Sequence, residues 1–339
     1  MTKHWVKGIS VLILFVFLIA CSNDETSDVT EDNDENSGDE TVSEDNTNDE
    51  NSEQTESSDI QEQDVMNIAH RGASGNAPEA TTFAFDQAAQ TDHAWLEMDI
   101  QKTKDDELVV IHDDDIKRTT NGEGEVGDFT LEELKELDAG TWFNEANPDK
   151  ADESYENAEL LTLEEVFERY GKDENYYIET KSPQLNEDME EPLVDMIEEH
   201  DLVDNVIIQS FEPSSLHAVH ELNEDIPLIQ LLWWEENEET GELEEWLDVT
   251  SAPEAMDEED FAEIREYAVG IAPHLEDYDG NEVIDEAFVQ KTLENDLLIH
   301  VYTVDTKENM ERLIDWGVTG IFTNYTERLN EVLNEKEDS

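Results

Sequence analysis

From Val65 onward the chain alternates short apolar runs with longer amphipathic stretches, which is how repeated strand and helix units read. Nine runs stand out: Val65 to Ala69, Trp95 to Ile100, Leu108 to Ile111, Tyr176 to Glu179, Val206 to Gln209, Pro227 to Leu232, Val269 to Ala272, Leu298 to Val304, and Gly320 to Phe322. A closed β/α-barrel uses eight parallel strands, so one run is surplus. The link Gln101 to Glu107 accounts for it, because a parallel crossover needs about a dozen residues and this link is far shorter. The runs on either side of it are expected to pair as a hairpin, within an α/β fold of the (β/α)8 TIM-barrel type.

The alternation breaks between His112 and Tyr176. A Gly-rich stretch, Asn121 to Gly127, is followed by two helical patterns, Leu131 to Leu137 and Leu163 to Tyr170. A small insertion after the third run, at about residues 114–160, is therefore predicted over the barrel mouth. Two helix starts are marked by capping boxes, Thr130 with Glu133 and Thr162 with Glu165. The barrel is expected to span 65–332, with a charged tail over 333–339.

The N-terminal part reads differently. Lys3 and Lys7 precede an apolar run, Val11 to Ala20, that ends in Leu18-Ile19-Ala20-Cys21. The run is shorter than the roughly 20 residues a spanning helix needs, and with the sequence at its end it reads as a lipoprotein leader over 1–21. Cys21 is the chain's one cysteine, so no intramolecular disulfide forms and the thiol is free for lipid attachment. A retained anchor helix is the alternative. Residues 22–64 hold 18 acids, no base and almost no large apolar side chain, which predicts a disordered, self-repelling tether. The expected location is extracytoplasmic, lipid-anchored to the cell membrane.

Charge narrows the partners. With 93 acids against 18 Lys and Arg the formal charge is -75, which excludes nucleic acid held by its phosphates. The acidity extends through the folded part. At molar salt the Debye length falls to ~3 Å and self-repulsion fades, so the composition suggests a halophilic protein, the alternative being an acidic one at ordinary salt.

Candidate chemistry sits at strand ends, where barrel enzymes keep their active sites. The first run ends in Ile68-Ala69-His70-Arg71-Gly72, followed by Ala77-Pro78-Glu79. The second carries Glu97-Met98-Asp99, whose period of two puts both carboxylates on one face. Two such acids repel unless a cation lies between them, and oxygen ligands suit Ca²⁺ or Mg²⁺ better than zinc. An exposed acidic pair would read the same. The third run ends in Ile111-His112-Asp113, which brings a second imidazole back near Glu97 along the hairpin. In Ile178-Glu179-Thr180-Lys181, Glu179 can complete a metal site while Lys181 faces a phosphate oxygen; a plain salt bridge is the alternative. His217 and His220 share a helical face without a third ligand, and His274 follows a strand end; none is assigned a catalytic role. Trp233 and Trp234 are open between packing and lining a cleft.

Taken in order, these motifs resemble the glycerophosphodiester phosphodiesterase family. The likeness runs from about Val65 to Thr326 and includes Arg118-Thr119-Thr120-Asn121-Gly122, Gln209-Ser210-Phe211 and Gly317 to Asn324. It implies one divalent cation on Glu97, Asp99 and Glu179, His70 and His112 as the acid/base pair, and Arg71 and Lys181 on the phosphate. Glu79, Gln209 and Tyr302 are expected to support them. The implied reaction is hydrolysis of a small glycerophosphodiester to sn-glycerol 3-phosphate and an alcohol. Lysophospholipase D action, phospholipase-C-like action on lipid or wall polymer, and non-catalytic capture are the alternatives. The chain departs from the family pattern at Ala80, where Asn usually follows Pro-Glu, at Tyr302 in place of Trp, and at Thr319 and Asn324 in place of acids.

Overall fold

A computed structural model describes residues 65–237, 240–278 and 280–337. The expected leader 1–21 with Cys21 and the tether 22–64 lie outside the described residues. All nine apolar runs become strands: β1 (Met66–Ala69), β2 (Ala94–Lys102), β3 (Leu108–Val110), β4 (Asn175–Thr180), β5 (Val206–Ser210), β6 (Leu228–Leu232), then, after two short strands β7 (Trp234–Glu236) and β8 (Leu243–Glu245), β9 (Gly270–Pro273), β10 (Leu298–Val301) and β11 (Gly320–Thr323). The order β1-β11-β10-β9-β6-β5-β4-β2 closes through a β1–β2 pairing, and every pair around this ring is parallel. β3 is the surplus run. It pairs antiparallel with β2, Ile100 opposite Val110.

Helices wrap the ring: α1 (Thr82–Ala88) after β1, α5 (Glu190–Glu199), α6 (Pro213–Leu222), α7 (Glu258–Arg265), α8 (Glu286–Glu294), α9 (Lys307–Trp316) and α10 (Thr326–Glu337) further on. Outward-facing strand residues such as Leu96, Met98, Ile178 and Ile208 pack under them in the main core. Among the described residues no helix is long and apolar enough to cross a membrane. The stretch from 333 that reads as a charged tail is helical as far as Glu337, because Leu333 still has the core to pack against.

The insertion after β3 holds α2 (Leu131–Leu134), α3 (Thr141–Ala146) and, returning to the barrel, α4 (Leu163–Tyr170). Both expected capping boxes are formed, at Thr130 and Thr162. A cluster of its own, with Ile116, Val126, Leu134, Ala139 and Leu160, seats the insertion on Val109 and Ile111. The β7–β8 hairpin is additional to the predicted elements, and the run expected to reach Val304 stops at Val301.

Inside the ring, the period of two sorts residues into layers. Ile68, Tyr177, Ile207, Ile229, Leu231, Ala272 and Phe322 form an apolar plug. His300 joins it, bonded to the Tyr177 hydroxyl at 2.8 Å, and Gly320 is needed opposite because a Cβ there would come within 2.6 Å of the imidazole. One step further toward the strand C-termini, on the same faces, stand His70, Glu179 and Gln209. The plug thus forms the floor of the polar mouth.

Candidate active site

Glu97, Asp99 and Glu179 are all buried, and one carboxylate oxygen from each lies within 4.8 Å of the others. The β2–β4 register, Asp99 opposite Glu179, brings them together. Burial and the neighbouring Asp99 push Glu97 well above the usual carboxylate range. Glu179 is also raised by burial, against the pull of Lys181. Asp99 is held low: burial opposes its charge, but His112, Arg71 and Lys181 outweigh it. Glu97 accepts from the Arg71 backbone N–H (2.7 Å) and from Gln209 Nε2 (3.1 Å), while Asp99 Oδ2 is buried without a hydrogen-bond partner. Three convergent carboxylate oxygens fit a hard divalent cation.

The two basic side chains flank this cluster. Lys181 Nζ lies 2.8 Å from Glu179 Oε1 and 3.2 Å from His112 Nε2. Arg71 adopts a left-handed backbone (φ 57), which turns its N–H onto Glu97 while its guanidinium reaches Glu79 at 3.0 Å and Asp99 at 3.4 Å. Glu79 is held down to about 2: burial works against its charge, and Arg118 and Arg71 overcome it. Ala80, where the family pattern has Asn, also has a positive φ (57). Asn tolerates that region better than Ala, so the departure places strain beside the site.

Each imidazole has a partner on Nδ1. His70 Nδ1 lies 2.9 Å from Asn324 Oδ1. Asn324 Nδ2 donates to Asp305 at 2.8 Å, and since a carboxylate only accepts, the amide oxygen must face His70. His70 therefore carries its proton on Nδ1 and presents an open Nε2. Burial, with help from Arg71, pushes His70 down to about 3, so the ring is neutral at ordinary pH. His112 Nδ1 lies 2.6 Å from Asp113 Oδ1, which likewise fixes Nδ1–H and directs Nε2 into the cleft.

All seven central residues expected from sequence meet at one mouth, and of the supporting three, Glu79 and Gln209 touch them directly. Tyr302 lines the cleft, with its hydroxyl tied to Leu232 O at 2.8 Å. The cleft has a volume of about 730 Å³. Its outer wall includes Phe211, Trp246, Tyr278 and Trp233, the last stacked 3.8 Å from His274. Trp234 is instead fully buried, so the tandem tryptophans divide between cleft and core. His274 has Nε2 accepting from Trp234 N–H and Nδ1 directed at Glu276 O, which leaves it a structural part. Asp113, Arg118, Asp305 and Asn324 also serve the site, and the sequence motifs give them no role. The letters beside His112 hinted at Asp113; nothing local pointed to Asp305.

Fold and site together define a barrel hydrolase of the phosphodiesterase class. The chain matches the model of the glycerophosphoryl diester phosphodiesterase family over residues 70–328, and it belongs to that family. It is 42% identical to the glycerophosphodiester phosphodiesterase of Bacillus subtilis (strain 168), over 79% of this chain and 86% of that one. The glycerophosphodiester phosphodiesterase of Caldanaerobacter subterraneus is 39% identical over 77% of this chain and 95% of its own. A solved Oleispira antarctica phosphodiesterase, in complex with sn-glycerol-3-phosphate, shares the fold with a TM-score of 0.64 at 24% identity, covering 79% of this chain and 96% of that one.

Proposed function

We propose that this phosphodiesterase cleaves glycerophosphodiesters to sn-glycerol 3-phosphate and an alcohol, using one Ca²⁺ or Mg²⁺ on Glu97, Asp99 and Glu179. The observation that carries the reading is the buried carboxylate triad in one cleft with two imidazoles of fixed tautomer. When bound, the ion supplies positive charge to the phosphate oxygens, as a Lewis acid does. Arg71 and Lys181 bind the same oxygens and orient the diester. His70, neutral and open at Nε2, takes the proton of the attacking oxygen. His112, whose Nδ1 Asp113 holds, gives a proton from Nε2 to the leaving alcohol once Lys181 has turned from Nε2 to the phosphate.

The test is a panel of glycerophosphodiesters, with lysolipid included, assayed for glycerol 3-phosphate at low and molar salt. Chelation should abolish turnover and Ca²⁺ or Mg²⁺ restore it. Better restoration by Zn²⁺ would contradict the oxygen-ligand reading, binding without cleavage would make the chain a capture protein, and faster headgroup release from lysolipid would change the substrate. The acidic composition supports activity retained at molar salt; collapse of the rate there would remove the halophilic reading.

A lipid anchor at Cys21 rests on the apolar run ending in Leu18-Ile19-Ala20-Cys21 and places the enzyme outside the cytoplasm. Radiolabelled fatty acid should enter the full-length chain and be absent from Cys21→Ser. Label that persists in the variant would remove the anchor from that residue.

A further inference from the structure

Arg118 is a half-exposed residue of the insertion, on neither a strand end nor the carboxylate triad. Its guanidinium nonetheless holds two carboxylates at once. Nε and Nη2 donate to Asp113 at 2.6 and 3.0 Å, and Nη1 and Nη2 donate to Glu79 at 2.9 and 2.7 Å. Each carboxylate has a second partner in the site. Asp113 Oδ1 takes His112 Nδ1 at 2.6 Å, and Glu79 Oε1 takes Arg71 Nη1 at 3.0 Å.

We propose that Arg118 is a positioning residue that locks the proton-carrying His112 and the phosphate-binding Arg71 into one unit through Asp113 and Glu79. The inference rests on the roles given above to His112 and Arg71. An isolated exposed ion pair contributes little, but a planar fork on two carboxylates fixes angles as well as charge. Glu79 is mostly buried, so its orientation is set by the two arginines that it accepts from. Asp113 is more open, and without Arg118 only His112 would restrain it among these groups. The imidazole and its carboxylate would then turn together, and Nε2 would lose its aim. An ammonium offers a single point of charge and cannot serve both forks, so Lys is not an equivalent residue.

The experiment compares Arg118→Ala and Arg118→Lys with wild type, measuring kcat, KM and thermal midpoint, each with and without added guanidinium or methylammonium. Both variants should lose about 10–100-fold in kcat, the range for partners that orient active groups. Millimolar guanidinium should restore at least about a tenth of the wild-type rate to Arg118→Ala without raising its melting temperature, and methylammonium should not. A residue that merely pins the insertion would show the reverse, a lowered midpoint and no rescue of rate. Wild-type kcat within about threefold in Arg118→Ala, full activity in Arg118→Lys, or absence of guanidinium rescue overturns the proposal. If the alanine variant does not fold, Arg118→Gln gives the same readouts. His112→Ala and Arg71→Gln run alongside: activity in those two would remove the roles on which the inference rests, whereas their inactivity beside an active Arg118→Ala would remove the inference alone.

Discussion

Replacing His70 or His112 by alanine will lower kcat by about 10²–10⁴-fold, the usual worth of a positioned proton carrier, and leave the barrel folded. Both rings sit beyond strand ends, at the wall of an open cleft rather than in the apolar plug, so truncation opens no core cavity. The two losses should nevertheless differ in kind. His70 presents an unprotonated Nε2, because Asn324 fixes the proton on Nδ1, and a base is needed whatever alcohol departs. His112 is backed by Asp113 and, in the proposed mechanism, serves the leaving oxygen. With a p-nitrophenyl diester, whose leaving group needs no proton, His112→Ala should regain most of its activity and His70→Ala should not. Either variant keeping more than a tenth of the wild-type rate on natural diesters would count against the assignment, and rescue of the His70 variant instead would exchange the two roles.

What the sequence made legible follows from the range over which each residue acts. The nine strands could be read because β-branched and leucine runs between amphipathic stretches are local features, and the short Gln101 to Glu107 link alone identified the hairpin. The site carboxylates could be read because a period of two places Glu97 with Asp99, and Glu179 with Lys181, before any tertiary contact is known. The β7–β8 hairpin was hidden by its composition. Glu235, Glu236, Glu244 and Glu245 look like solvated acids, yet Glu245 is buried and accepts from the Leu247 and Val249 N–H groups. Asn324 was hidden by distance, since it reaches His70 across 254 positions and only where β11 closes against β1. In a chain with 93 acids, composition does not distinguish a ligand from surface; burial does, and burial is a property of the closed ring.

That distinction gives the other large effect, for Glu97→Gln. In the metal-free protein Glu97 is buried beside Asp99 and Glu179, and like charges at that spacing disfavour one another. The substitution keeps shape and removes the cost of either ionising Glu97 there or holding its proton. Its amide can still accept from the Arg71 N–H, and Gln209, whose Oε1 has no partner, can reverse its own amide to accept from the new NH2 group. With chelator present, Glu97→Gln should therefore be more stable than wild type, by about 1–3 kcal/mol on like-charge arguments. Activity should fall by about 10³-fold, because the several kcal/mol of charge stabilisation supplied at this position is lost. Added Ca²⁺ or Mg²⁺ should raise the thermal midpoint of wild type, since a ligand that binds only the folded state stabilises it by mass action, and should leave the variant almost unmoved. The order of the two midpoints then reverses between chelator and metal. A structural salt-bridge cluster would give the opposite: with Arg71 and Lys181 left short of a counter-charge, Glu97→Gln would be the less stable protein in either buffer, and metal would shift neither.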